Sequence, residues 1–237
     1  EIREKVRKFI GAKYITECIF THGATEGLNI LAQSITKSFL KTGDEVIISQ
    51  LEHHSSLLPW RETGAKIKIL PCSLETGEIR PEDFKKLISS KSKVLVLTPD
   101  SNVIGRTKNF EKLVKIAKEH ELIIVADCAQ AVAHQRLDLD KSGIDFAAFS
   151  GHKMYAEMGI GVLYGRQELL EKMQPQLYGG EMVEDVLNIN NIQLAELPYR
   201  FEAGTINLGG IVSLGAAIDF MKGIDLKAFR KTNNLTQ

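Results

Sequence analysis

A chain of 237 residues with 43% hydrophobic content has enough apolar material for one large α/β domain or two small ones, which excludes disorder as its general state. Its 30 Lys and Arg balance 30 Asp and Glu, so no net field holds it on a nucleic-acid backbone or an anionic membrane, and a small-molecule partner becomes the default. Three scattered cysteines without a C-x-x-C pair argue against a disulfide framework or zinc ribbon and fit a reducing cytoplasm, and no run approaches the ~18 apolar residues of a membrane span.

The chain opens with Ile2, Val6 and Ile10 in helical spacing, as though within a helix. Thr21-His-Gly-Ala-Thr-Glu-Gly27 then leads into the apolar helical run Leu28-Asn-Ile-Leu-Ala32. Small residues and a hydroxyl at a helix N-terminus offer free N–H groups and the positive end of the dipole, an anion site suited to phosphate. Glu45 to Ser49 and Ile67 to Leu70 read as strands. Pro81 starts a helix with Phe84, Leu87 and Ile88 facing inward. Val94 to Thr98 is a strand, and Asn109 to His120 a helix with Phe110, Leu113, Val114 and Ala117 on one face. Strands at Leu122 to Ala126 and Ala147 to Ser150 follow.

Strands alternating with helices predict right-handed crossovers and a mostly parallel sheet covered on both faces, with ligands beyond the carboxyl ends of the strands. Glu181 to Pro198 has no firm period and predicts a long surface excursion. Residues 227–237 show no closing strand or capping glycine, which together with the mid-helix start predicts a piece of a longer protein.

Two polar clusters stand at strand ends, Asp127-Cys-Ala-Gln130 and Ser150-Gly-His-Lys153. With the loop at 21–27 they make a phosphate cradle, a carboxylate and a lysine. Pyridoxal phosphate needs those three: donors for its phosphate, a carboxylate for its pyridinium nitrogen, and an amine for a Schiff base with its aldehyde. Rival readings are weaker. Ser150 to Lys153 fits S-x-x-K and Lys41-Thr-Gly43 fits K-T-G, but an acyl transferase of the penicillin-binding type needs the second element after the first. Adjacent His53 and His54 diverge on helix or strand and have no ligand at metal spacing. Gly159-Ile-Gly161 is only part of a dinucleotide fingerprint. Asp127 also has a bland reading as a helix cap.

Six motifs in order carry a family resemblance: Glu52-His-His-Ser-Ser-Leu-Leu-Pro-Trp60, Ser101-Asn-Val-Ile-Gly105, Asp127-Cys-Ala-Gln-Ala131, Phe149-Ser-Gly-His-Lys-Met-Tyr155, Gly159-Ile-Gly-Val-Leu-Tyr164 and Arg200-Phe-Glu-Ala-Gly-Thr205. The chain resembles class V aminotransferase-fold enzymes, and among them the group II cysteine desulfurases, over roughly residues 15–222. The resemblance implies the large domain of the type I pyridoxal-phosphate transferase fold, a mostly parallel seven-stranded α/β sheet with helices on both faces. That domain would run over residues 1–222, with 223–237 beginning a linker to a small C-terminal domain largely absent from the chain.

The resemblance also implies roles. Lys153 is the Schiff-base lysine, Asp127 the partner of the ring nitrogen, and Gln130 the donor to the phenolic oxygen. His53 stacks on the ring and moves protons. Ala24, Thr25, Ser150 and His152 hold the phosphate, Asn102 lies near the cofactor oxygen and substrate carboxylate, and Thr205 reaches the neighbouring subunit's phosphate in a homodimer. The implied reaction converts L-cysteine to L-alanine and an enzyme persulfide, handed to a sulfur-acceptor protein for iron–sulfur cluster assembly. Selenocysteine lyase, epimerase and aminotransferase chemistry share the same cofactor logic, and a non-catalytic scaffold of the same fold is a further alternative.

This sequence also departs from the pattern. The family's persulfide cysteine and its substrate-binding arginine belong to a C-terminal segment not among these residues. Cys128 stands where glycine is usual and is expected to pack rather than react. Ala156-Glu-Met158 replaces a stiff Gly-Pro-Thr turn, which is expected to loosen the fit after the lysine loop, and Arg106 replaces a threonine.

Overall fold

The computed structural model describes residues 1–73, 75–188 and 191–225. Seven strands form the central sheet: β1 (Cys18–Thr21), β2 (Glu45–Ser49), β3 (Lys66–Leu70), β4 (Ser92–Leu97), β5 (Ile123–Asp127), β6 (Phe146–Ser150) and β7 (Gly161–Gly165). Their order across the sheet is β1-β7-β6-β5-β4-β2-β3. Strands β2 to β6 pair in parallel, while β7 runs antiparallel to both β6 and β1. Six longer helices accompany it: α1 (Ile2–Ile10), α2 (Ala24–Phe39), α3 (His54–Glu62), α4 (Pro81–Leu87), α5 (Phe110–Glu119) and α6 (Leu208–Lys222).

The interior strands are β-branched and apolar because both of their faces are covered. Alternate residues serve opposite layers. Val46, Ile48, Val94, Val96, Val125, Ala148 and Leu163 pack under Leu28, Leu31 and Ile35 of α2 and Trp60 of α3. Their neighbours Ile47, Leu95, Leu97, Ile124, Ala126, Ala147, Phe149 and Val162 pack under Val6 and Ile10 of α1, Leu113 and Ala117 of α5, and Leu214 and Ile218 of α6. Each fully buried Leu, Ile, Val or Phe contributes roughly 1.5–3 kcal/mol, so two such layers fix the sheet as a rigid frame. Strand β3 is one of the two edges, its exposed Lys66 and half-buried Lys68 blunting a row of unpaired backbone groups.

The expected α/β architecture, the five expected strands and the helices at 2–10, 81–87 and 110–119 are present. Helix α2 begins at Ala24, in keeping with Ala24 and Thr25 standing at a helix start, because Gly23 takes φ 152° and ψ 177° and turns the chain straight off β1. One expectation changes. The excursion at 181–198 contains two antiparallel strands, Val183–Asn188 with Asn191–Leu194, which the cluster of Asn188, Asn190 and Asn191 concealed in the sequence. The linker expected over 223–237 lies outside the described residues from 226 onward.

Candidate active site

Thr21, Leu97, Asp127 and Ser150 end parallel-running strands on one edge of the sheet, and a cavity of about 260 Å³ opens beyond them, at the small end of ligand sites. Lys153 enters it from a single 3₁₀ turn, Gly151–Met154, that follows β6 directly. The turn is tight: a Cβ on Gly151 would stand 2.9 Å from Ile160 Cγ2. Asp127 lines the same cavity from the end of β5 and is 4% exposed. Burial raises its carboxyl pKa above the usual range. The Ala129 N–H at 3.0 Å and the nearby His53 and Lys153 pull the other way. The bland reading is thus partly right, since Asp127 does satisfy a backbone donor two residues on, although the cap of the short helix Ala131–His134 is Gln130.

The cradle is built by docking α2 onto β6. The Ala24 N–H donates to Ser150 Oγ at 2.8 Å. That bond occupies the Ala24 donor expected to face phosphate, leaving the Ser150 hydroxyl proton and the Thr25 N–H and hydroxyl, at the positive end of a 16-residue helix. The approach depends on glycine at two places: a Cβ on Gly161 would lie 2.5 Å from Gly23 Cα, and Gly23 itself holds a φ that side chains avoid.

His53 precedes α3 and caps it. Its Nδ1 accepts from the Ser55 N–H at 3.2 Å and contacts the Ser55 hydroxyl at 2.7 Å. Because a backbone N–H can only donate, this network assigns Nδ1 as the acceptor and puts the neutral ring's proton on Nε2. His53 lines the cavity and His54 does not. Asn102 lines it from the turn of a two-stranded hairpin, Asp100–Ser101 with Gly105–Arg106. Gln130 and His152 complete the set. Of the residues expected at the site, only Thr205 lies elsewhere, with Phe20, His22 and Asn207 in a separate, smaller depression.

Sequence reasoning missed Leu51, Ser55, Thr98, Asp100, Ser101 and Ala129 as lining residues. A rule was available for Thr98, the residue immediately after β4. Its hydroxyl lies within hydrogen-bond distance of the carbonyls of Asp100 (2.8 Å) and Asp127 (3.0 Å). Asp100 is 7% exposed, and its Oδ2 accepts from Gln135 Nε2 at 2.6 Å.

A family model described as aminotransferase class-V matches residues 1–237. The chain belongs to that family. Among curated relatives, a probable cysteine desulfurase of Halalkalibacterium halodurans is 42% identical over 97% of this chain and 57% of its own length. Among solved structures, the cysteine desulfurase CsdA of Escherichia coli superposes with a TM-score of 0.90 at 37% identity, over 95% of this chain and 57% of that one. A cysteine desulfurase from Thermococcus onnurineus NA1 gives 0.88 at 38% identity, over 95% and 56%. The chain thus spans a little over half the length of the relatives it matches.

Within this class V chain the departures have structural answers. Cys128 is fully buried in the core, where burial and the nearby Asp127, Asp100 and Glu52 charges push its thiol pKa far up. It therefore packs as a small hydrophobe. The segment Ala156 to Met158 keeps its turn without proline: the Ala156 N–H donates to the Gly151 carbonyl at 3.0 Å and the Glu157 N–H to Ser213 Oγ at 2.9 Å.

Proposed function

We propose that this chain is the cofactor-binding domain of a pyridoxal-phosphate-dependent cysteine desulfurase. The observation that carries the reading is the convergence of Lys153, Asp127, His53 and the Ala24–Ser150 cradle on one cavity, in a fold whose relatives at about 40% identity are named cysteine desulfurases. The residues present fit the cofactor: a helix N-terminus and hydroxyl for phosphate, a buried carboxylate for a cationic ring nitrogen, and an amine for the aldehyde.

When bound, pyridoxal phosphate supplies an electron sink that weakens the bonds around the substrate Cα. The chain's own contribution is placement and proton handling. Asp127 keeps the ring nitrogen protonated, and because burial raises its own pKa, its charge is stabilised by the partner it binds. His53 would lie against the ring, with Nε2 the nitrogen left free of the Ser55 network to carry a proton. Lys153, which lines the cavity, would hold the aldehyde through its amine. Gln130 donates to the phenolic oxygen, and Asn102 orients the substrate carboxylate of L-cysteine. Thr25, Ser150 and His152 hold the phosphate.

Thr205 lies away from this cavity in its own chain, which supports a homodimer in which it serves the phosphate of the neighbouring copy. None of the three thiols lines the cavity, so the sulfur-accepting thiolate and the handover to an acceptor protein for iron–sulfur assembly belong to the whole protein. Three free cysteines fit a cytoplasmic setting, and no helix among the described residues is long and apolar enough to cross a membrane.

The test is a visible absorption titration of the purified chain with pyridoxal phosphate. Saturable yellow binding, abolished in Lys153→Ala, supports the reading. No uptake by the wild type overturns it in favour of a scaffold of the same fold.

A further inference from the structure

Glu52 precedes the ring-covering histidine and has no part in the mechanism above. Its carboxylate joins two elements. One oxygen accepts from the Thr98 N–H at 2.7 Å, just past the end of β4, and the other accepts from the Ser56 hydroxyl at 2.9 Å, in the first turn of α3. Thr98 in turn reaches the Asp127 carbonyl at 3.0 Å through its hydroxyl, and its own carbonyl accepts from Thr107 Oγ1 at 2.7 Å. The hydrogen bonds of His53 stay within its own helix, its ring with Ser55 and its carbonyl with the Ser56 and Leu57 N–H groups, and Gln50 pairs with Leu70 and Cys72 on the far side, at the sheet edge. Beyond the backbone ladder of β2 with β4, the Glu52 to Thr98 bond ties the His53 segment to the Asp127 side of the cavity.

We propose that Glu52 is a positioning residue: it braces the start of α3 against the end of β4 and so sets the separation between the His53 ring and the Asp127 carboxyl. This rests on the cofactor reading, since that separation matters because a ring is gripped there. Burial and the Asp127 charge push the Glu52 carboxyl to about 8, so near pH 7 it is largely protonated, with its carbonyl oxygen accepting from the Thr98 N–H and its hydroxyl able to donate to Ser56 Oγ. Glutamine can replace it: its carbonyl accepts from Thr98 and its amide donates to Ser56. Aspartate, one methylene shorter, keeps the acid but cannot span both partners.

The test measures pyridoxal phosphate affinity, the position of the bound-cofactor absorption band and the unfolding midpoint without cofactor, in wild type, Glu52→Gln, Glu52→Asp and Glu52→Ala. Val6→Ala, a core change on the far side of the sheet, serves as the stability control. The brace predicts wild-type affinity and band for the glutamine variant. For the aspartate and alanine variants it predicts a weakening of roughly tenfold, the scale of a buried donor left without its acceptor, together with a displaced band. Should alanine not fold, the glutamine and aspartate pair decides. Equal affinity and band in all variants, or losses no larger than those of Val6→Ala at matched midpoint, overturn the brace. Failure of the wild type itself to take up cofactor, with Lys153→Ala as the blank, instead overturns the cofactor reading on which the brace rests.

Discussion

Two glutamates illustrate how position turns one side chain to opposite uses. Glu45 is 3% exposed and is met by Lys66, Lys68, Ser89 and Ser92, which hold its carboxyl down at about 2. Its folded pKa lies below the unfolded value of 4.5, so its contribution is present above 4.5 and is lost as pH falls toward 2. Glu52 has the opposite sign. Its folded pKa is raised from 4.5 to about 8, so the folded chain holds a proton that the unfolded chain releases, and stability declines as pH rises across that window and is level above it. Glu45→Gln is expected to flatten the acid limb of the stability curve and Glu52→Gln the limb between 4.5 and 8. Urea midpoints measured from pH 3 to 9 check both. At the same scale, Cys128 is expected to resist alkylation in the folded chain while Cys72, half-buried at the end of the edge strand, reacts first; mass spectrometry after timed labelling reads this.

Among the elements, the junction of β1, α2 and β7 controls the site. Gly161 leaves the space into which Gly23 drops, and the Ala24 N–H reaches Ser150 only because that approach is close. Gly161→Ala is expected to cost about 1–3 kcal/mol of stability, the scale of overpacking, and to weaken phosphate-bearing ligands more than the stability loss explains. Denaturation and cofactor titration of the same variant separate the two effects.

The same junction marks where sequence was hard to read. Cys18 to Thr21 is a four-residue strand with no alternation to announce it, and the antiparallel sense of β7 leaves no trace in periodicity because it is set by pairing with β1 and β6. By contrast, Asp127 and Lys153 were legible because each follows a β-branched run at the edge where such sheets bind ligands, and the roles of Gln130, Asn102 and His53 came from motif wording rather than spacing. Thr98, directly after β4, was within reach of the same rule, whereas Asp100 escaped notice because its bonds to Gln135 and Thr98 come from the fold, the former 35 residues away.

At the level of the whole molecule, two hydrophobic layers hold the sheet, yet several large apolar side chains remain outside. Met158 is 83% exposed, Leu208 66% and Val212 64%, and Tyr155 is exposed in edge-to-face contact with Phe220. The proposed homodimer, in which Thr205 would serve the neighbouring site, offers such side chains a partner surface. Thr205→Val in the complete protein is expected to weaken cofactor binding by roughly tenfold while leaving the unfolding midpoint without cofactor in place; an unchanged affinity in a dimer confirmed by sedimentation counts against that role.

The most direct measurement is to incubate the chain with pyridoxal phosphate, reduce with borohydride and map the modified peptide by mass spectrometry. The account predicts one pyridoxyl group per chain, on Lys153, with labelling sharply reduced in Asp127→Ala. A label spread over surface lysines, or a label on Lys153 indifferent to the residue at 127, would contradict it.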